Sequence, residues 1–293
     1  MEVTVLFTKT HIHSLHSLFH VIRVRSAHPG AGGTEKVEQI LAFLEIIDSR
    51  VRKLSQRREL VFVDSAAGNC YVSFLAYYYY RVLCGRRITI HCIDSDSRLT
   101  ERSANVASDL GFCEIHFHSG DILDLPEVPN VDIAYSLHAC DTATDKALYL
   151  GLRLGAPCIL GVSCCQHTIR RSFRNSAIKG VTRYKAFKDR LLSLVADTMR
   201  AHLLATHGYK VDVFEFTSSR HTDKNIMLRA VRCGQQRHGA LRDEYERLRE
   251  GFNTEPELAA LIREGASAQP RTFPTRQVPR RRREAGLPPS AGR

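Results

Sequence analysis

The middle of the chain alternates short apolar runs with amphipathic segments, and this alternation limits the fold more than any other feature. Leu60–Asp64, Ile88–Asp94, Cys113–His118, Val131–Leu137 and Cys158–Ser163 are rich in Val, Ile, Leu and Phe. Near-continuous apolarity over so few residues is what a strand covered on both faces requires. Between them, Cys70–Leu83, Leu99–Leu110 (closed by Gly111) and Ala143–Leu154 have helical spacing, and a longer helix is predicted over Tyr184–Thr206, ending near Gly208. Tyr209–Phe216 and Asn225–Val231 then follow as strands with no helix between them. The pattern predicts a doubly wound α/β fold. It is a mostly parallel seven-stranded, Rossmann-like sheet with helices on both faces and an antiparallel hairpin at one edge. In such sheets ligands bind beyond the carboxyl ends of the strands.

The flanks are less regular. Residues 1–32 receive no element: His11, His13, His16 and His20 interrupt the apolar residues, and Pro29, Gly30, Gly32 and Gly33 end the segment. A helix is predicted from Thr34, as N-cap, to Leu54, with Glu35 in its first turn and Val37, Ile40, Leu41, Leu44 and Ile47 on one face. The expected organisation is an N-terminal extension (1–32), a core domain (33–233), a helical appendage (234–266) built on Leu241–Leu248 and Pro256–Arg263, and a tail (267–293). The tail is rich in Pro and Arg, including Arg280–Arg283, and is predicted to be disordered.

Composition narrows the setting. Nine cysteines, an odd number with no Cys-x-x-Cys pair, suggest reduced thiols and a cytoplasmic location rather than a disulfide framework. No apolar run approaches the ~18 residues a membrane span needs. The formal charge is +11, but residues 271–293 hold seven Arg and one Glu, so the remainder is only mildly basic. That balance is compatible with nucleic acid as a partner. Nothing in the sequence fixes an oligomeric state.

The first strand-to-helix turn reads Asp64-Ser65-Ala66-Ala67-Gly68-Asn69-Cys70. Asp64, Ala66, Gly68 and Cys70 occupy the spacing of an acidic-x-Gly-x-Gly-x-Gly pattern, with glycine kept only at Gly68. An acid at the strand end orients the amino-acid end of an adenosyl cofactor, and small residues such as Ala66, Gly68 and Asn69 let backbone approach it. Asp94, closing the second strand, can accept ribose hydroxyls, with Asp96 as a possible substitute. Asp121, after the third strand, can accept an adenine amino group.

These motifs carry a resemblance. Asp64–Phe74, Leu137-His138-Ala139-Cys140-Asp141-Thr142-Ala143-Thr144-Asp145 and Cys164-Cys165-Gln166-His167 resemble the methyltransferase-like 25 group over roughly Thr34 to Arg232. That group shares a class I methyltransferase domain with the glutathione S-transferase C-terminal domain-containing protein. The resemblance implies a methyltransferase with an S-adenosylmethionine pocket carried by Asp64, Gly68, Asp94 and Asp121. The chain departs from the group's usual pattern at Ser163, where Pro commonly precedes Cys-Cys, and at Asp223, where Pro often follows His-Thr.

The reaction centre is expected where the fourth and fifth strands end. His138, Cys140, Asp141, Cys164, Cys165 and His167 are its candidates. Three chemistries are open. His138, Asp141 and His167 could position and deprotonate an acceptor for in-line methyl transfer. His138, Cys140, Cys165 and His167 could ligate zinc, although their spacing is that of no known finger. Cys140, Cys164 or Cys165 could attack a pyrimidine ring so that a carbon can be methylated. A fourth reading is structural: small buried thiols and bonded histidines that shape the loops. Beyond the fifth strand, Arg170, Arg171, Arg174 and Lys179, with Phe173 and Tyr184 interleaved, would border the acceptor. His221–Asn225 reads as a tight hairpin that could reach the cofactor mouth. The expected acceptor is RNA, with protein as the enzymatic rival. A non-catalytic cofactor- or RNA-binding module is the answer of a different class.

Overall fold

A computed structural model describes residues 7–25, 33–163, 167–173, 175, 178–218, 225–233 and 239–264. Seven strands form one sheet in the order β3-β2-β1-β4-β5-β7-β6. They are β1 (Leu60–Ser65), β2 (Ile88–Asp94), β3 (Ile115–Ser119), β4 (Ile133–Ala139), β5 (Cys158–Ser163), β6 (Tyr209–Glu215) and β7 (Ile226–Arg232). The first five pair in parallel, and β7 inserts antiparallel between β5 and β6. The strand order reverses between β1 and β4, the switch point at which doubly wound sheets open a crevice.

Alternation along β1 shows how the core divides. Phe62 and Val63 are both fully buried but belong to different apolar clusters, one on each face of the sheet. Phe62 faces the layer of α1 (Lys9–Arg25), α2 (Gly33–Val51), α3 (Tyr71–Tyr77) and α4 (Ser97–Leu110). Val63 faces the layer containing α5 (Thr142–Arg153), α8 (Lys185–Thr206) and α10 (Glu257–Glu264). On the first face Phe43, Phe62, Tyr80 and Tyr135 meet edge to face, with centroids 5.8–6.2 Å apart. Each such contact contributes about 0.5–1.5 kcal/mol beyond simple area burial.

Two helices have ends that the sequence explains. Asp96 caps α4 by accepting from the Arg98 and Leu99 amides, and Gly111 closes that helix at φ 71°. The predicted start of α2 shifts: Gly33 is already helical, so Thr34 lies inside the first turn instead of capping it. The Cys70–Leu83 helix is composite, its second half, Tyr78–Leu83, being wound as a π-helix.

The larger difference is α1. The segment 1–32 has no predicted element, yet Lys9–Arg25 is a helix that buries Leu15, Phe19 and Ile22. Those three residues have helical spacing. His13, His16 and His20 sit off this face and keep part or much of their surface exposed, while His11 shares it, its ring edge to face with Tyr79 at 5.5 Å between centroids. Beyond β7, α9 (Gly239–Phe252) and α10 pack on α8 through Tyr245, Leu248 and Ala259. No helix among the described residues is long and apolar enough to cross a membrane.

Candidate active site at the carboxyl ends of the central strands

The turn after β1 adopts the conformation that its residue spacing suggests. Ala66, Gly68 and Cys70 all have positive φ, at 55°, 53° and 54°. Two of these are L-residues in a region that glycine normally supplies, at a cost of about 1–2 kcal/mol each. Hydrogen bonds hold the turn in place. The Ala67 amide donates to the Ile93 carbonyl at 3.1 Å, the Gly68 amide to Asp94 Oδ2 at 2.7 Å, and the Cys70 amide to the Ala67 carbonyl at 2.8 Å. Gly120 N–H donates to the Asp94 carbonyl at 3.0 Å, so the end of β2 is stitched to the chain on either side.

The strain makes a test. No atom lies within 4 Å of a Cβ added at Gly68, so Gly68→Ala incurs only the backbone penalty. Its expected effect is a loss of about 1 kcal/mol in urea unfolding with an unchanged m-value, whereas Ala66→Gly should not destabilise. Equal destabilisation by both would mean that the left-handed turn is misassigned.

The three acids of the cofactor reading stand at the carboxyl ends of three neighbouring strands, Asp64 within β1, Asp94 closing β2 and Asp121 just beyond β3, in different surroundings. Asp64 is buried beneath the turn, where Ser73 Oγ donates to its Oδ2 at 2.6 Å and Ser73 in turn bonds Tyr135 Oη at 2.8 Å. Burial, only partly offset by Ser73 and reinforced by the nearby Asp94 charge, pushes the Asp64 carboxyl up to about 7. Asp94 accepts the Gly68 and Asp96 amides. Asp96 is committed to capping α4, which leaves Asp94 as the acid facing the turn. Asp121 accepts the Leu123 amide at 3.0 Å and pairs with Lys146. Burial alone would raise its pKa; Lys146 and the Leu123 amide hold it below the usual value. Lys146, on α5, has no signal in sequence, because its role depends on α5 lying beside the β3 end.

The turn after β4 is strained in the same way. A bulge shifts the β4–β5 register between Leu137 and Ala139, and His138, inside it, has φ 67°. A bulge re-aims a side chain: His138 Nε2 meets Gln39 Oε1 of α2 at 2.8 Å. Gln39 is itself buried, with its Nε2 unpartnered among the described residues. Asp141 has φ 52°, and its carboxylate accepts the Thr168 amide at 2.9 Å and the Thr168 hydroxyl at 2.6 Å. It thereby ties the β4 turn to α6 (His167–Ser172). Cys140 is exposed and not in a disulfide. Of the six described non-glycine residues with positive φ, four lie on these two turns, after adjacent central strands. Strain of this kind concentrates where a chain must present groups to a ligand.

Other candidates are scattered or outside view. Cys164, Cys165 and Arg174, the predicted 221–225 hairpin apart from Asn225, and the tail beyond Glu264 lie outside the described residues, as do the side chains of His167 and Arg171. Among the described residues no group of three or more His, Cys, Asp or Glu side chains is arranged to hold a metal. Phe173 is buried, stacking on Phe252 with centroids 5.7 Å apart, so it cannot stack on a ligand as expected from its place in the basic loop. Arg170 pairs with Asp189 at 3.3 Å, and Lys179 is exposed. Ser163 has a partner of its own: its Oγ lies 3.1 Å from both carboxylate oxygens of Asp197. A proline there would lose that tether.

An adenosyl sulfonium cofactor would meet a fitting donor set here. Its ammonium would find an ionisable buried carboxyl in Asp64, its ribose the Asp94 carboxylate, and its adenine the Asp121 loop. The cofactor itself would supply an activated methyl group.

The solved structures that the chain matches share little sequence with it. The DszA carbon methyltransferase is 13% identical with a TM-score of 0.43, covering 74% of this chain and 58% of its own. The geranyl diphosphate methyltransferase in complex with SAM is 16% identical with a TM-score of 0.40, covering 72% and 95%. A SAM-dependent methyltransferase from Aquifex aeolicus is 13% identical with a TM-score of 0.37, covering 62% and 86%. The chain thus spans under two thirds of the length of the first of these. No curated protein matches the chain significantly. Residues 35–172, which run from the start of α2 to the end of α6 and contain both strained turns, match the family model described as a methyltransferase domain.

Proposed function

We propose that this chain is an S-adenosylmethionine-dependent methyltransferase that acts on RNA, of the methyltransferase-like 25 kind, and works in the cytoplasm. One observation carries the catalytic part: two neighbouring strand-end turns, after β1 and β4, both hold non-glycine residues in left-handed backbone. The first turn is bonded to Asp94, the second presents His138 and Asp141. The β1–β2–β3 side would hold the cofactor, and the β4–β5 side would admit the acceptor. His138, held by its bond to Gln39, lines the acceptor side at the end of β4. Asp141 holds the rim of the acceptor side in place. The acceptor assignment draws on the formal charge of +11 and on the exposed basic segment after α6.

The test is transfer of a radiolabelled methyl group from S-adenosylmethionine to fractionated RNA and protein of the source cell. Label in the RNA fraction, lost in His138→Ala, supports the reading. Label confined to protein corrects the acceptor. Cofactor binding with neither fraction labelled would leave a non-catalytic binding module.

A further inference from the structure

Helix α8 is longer than the sheet it covers. β6 is parallel to β5 and begins at Tyr209, just after α8 ends at Thr206, so α8 must run from the carboxyl edge of the sheet back to its amino edge. Asp197 marks where it passes the sheet edge, because Ser163, the last residue of β5, bonds it at 3.1 Å. The twelve residues from Lys185 to Ala196 therefore project about 18 Å past the carboxyl edge, at ~1.5 Å per residue. This is the edge that carries the two strained turns.

The overhang is covered along one arc of its surface, where Leu191 and Val195 pack with Tyr245, Leu248 and Phe252 of α9. Leu192 and Ala196 bury against Ile169 and Phe173. On the other side Tyr184, Phe187 and Leu194 are 58%, 55% and 63% exposed. The Tyr184 and Phe187 rings stand edge to face, with centroids 5.8 Å apart. Around them lie Lys179, Arg183, Lys185, Lys188 and Arg190, and among the described residues none of these five is in an ion pair. The single carboxylate of the stretch, Asp189, is already paired with Arg170.

Exposed aromatic rings within a field of unpaired cations are the chemistry of single-stranded nucleic acid. Cations neutralise phosphates, and each ring offers a face to a base without reading its sequence. An acidic peptide would satisfy the cations and leave the rings in water. The geometry points to this overhang, together with the short helix α7 (Lys179–Thr182) that precedes it, as a platform over Lys179–Leu194 for single-stranded RNA that leads the acceptor nucleotide to the β4–β5 turns. It rests on the methyltransferase reading for its purpose, but not for its binding.

The experiment is fluorescence anisotropy of the full chain with a fluorescein-labelled 12-nucleotide single-stranded RNA across a salt series. S-adenosylhomocysteine binding is measured on the same samples. Tyr184→Ala/Phe187→Ala should weaken RNA binding at least tenfold. Lys185→Glu/Arg190→Glu should also flatten the dependence of affinity on salt. Neither pair should change the melting temperature or the S-adenosylhomocysteine affinity. Replacing Arg280–Arg283 with alanine should leave the tenfold ratio intact, separating the platform from the tail. Equal RNA affinity in wild type and the aromatic double variant would overturn the proposal. So would an Asp/Glu-rich peptide or anionic vesicles binding as tightly as RNA with no loss in that variant. Aromatic-dependent RNA binding without any S-adenosylhomocysteine binding would keep the platform and contradict the methyltransferase reading instead.

Discussion

Arg200→Met is expected to destabilise the protein by about 3–5 kcal/mol, the cost of removing one member of a buried ionic cluster. Arg200 has no exposed surface. Its Nε and Nη2 bond both oxygens of Asp145 at 2.9 and 2.8 Å, and its Nη1 bonds Asp197 at 3.0 Å. Burial works against the guanidinium charge, but the two carboxylates outweigh it and raise the pKa. Burial likewise raises the Asp197 pKa, and Arg200 pulls it back. Methionine matches the volume and leaves both carboxylates without a cation in a region that cannot solvate them. Adding Asp145→Asn and Asp197→Asn should recover part of the loss, since the uncompensated charges are then gone. Urea unfolding of the single and triple variants checks this. A single variant within 1 kcal/mol of wild type would mean that the cluster is hydrated. Because Asp197 also holds Ser163, the single variant should lose methyl transfer below its unfolding temperature.

Asp64→Asn is expected to separate stability from function. In the folded chain the Asp64 carboxyl titrates at about 7, against a reference of 3.8. The native state therefore binds more protons than the unfolded chain between these values, and stability falls as pH rises through that window. The contribution is fully present below about 3.8 and lost above about 7. A shift of that size corresponds to at most ~4 kcal/mol at pH 8. Three imidazoles act in the opposite sense. Burial lowers His91 to about 3 and His118 to about 4, and it also lowers His116, so acid costs stability as they charge. They are common to both proteins and cancel in the difference. Asp64→Asn should therefore match wild type near pH 4 and exceed it progressively towards pH 8. It should also bind S-adenosylmethionine at least tenfold more weakly, having lost the carboxylate proposed as the partner of the cofactor ammonium. In wild type, cofactor affinity should rise with pH through 7, because the ammonium selects the ionised carboxyl. A pH-independent stability difference would show that Asp64 is ionised throughout. Unchanged affinity would remove it from the site.

The architecture was largely legible because a strand buried on both faces must be apolar along its length. β2 and β5 have the bounds read from sequence, and the ends of the other strands shift by at most two residues. Gly111 was legible as a helix stop because few residues besides glycine adopt φ 71° readily. The site was legible only in part. Spacing located the first turn but could not show that Ala66 and Cys70 take up glycine's conformation, since neither residue type announces it. The bulge at His138 has no glycine or proline to mark it. Gln39, Ser73, Tyr135, Lys146 and Asp197 are functional neighbours only through long-range packing: Gln39 lies ninety-nine positions from His138 along the chain. Phe173 looked available because it sits among arginines, and Phe252, far along the chain, is what buries it.

Isothermal titration of the full chain with S-adenosylhomocysteine, in wild type and in Asp94→Ala, tests the central claim most directly. Asp94 joins the first turn to the end of β2 through its bond to the Gly68 amide. Saturable binding of one equivalent to wild type, weakened at least tenfold in Asp94→Ala while the fold persists by circular dichroism, is the expected result. No binding to wild type, or equal binding to both proteins, would contradict an adenosyl site at these strand ends.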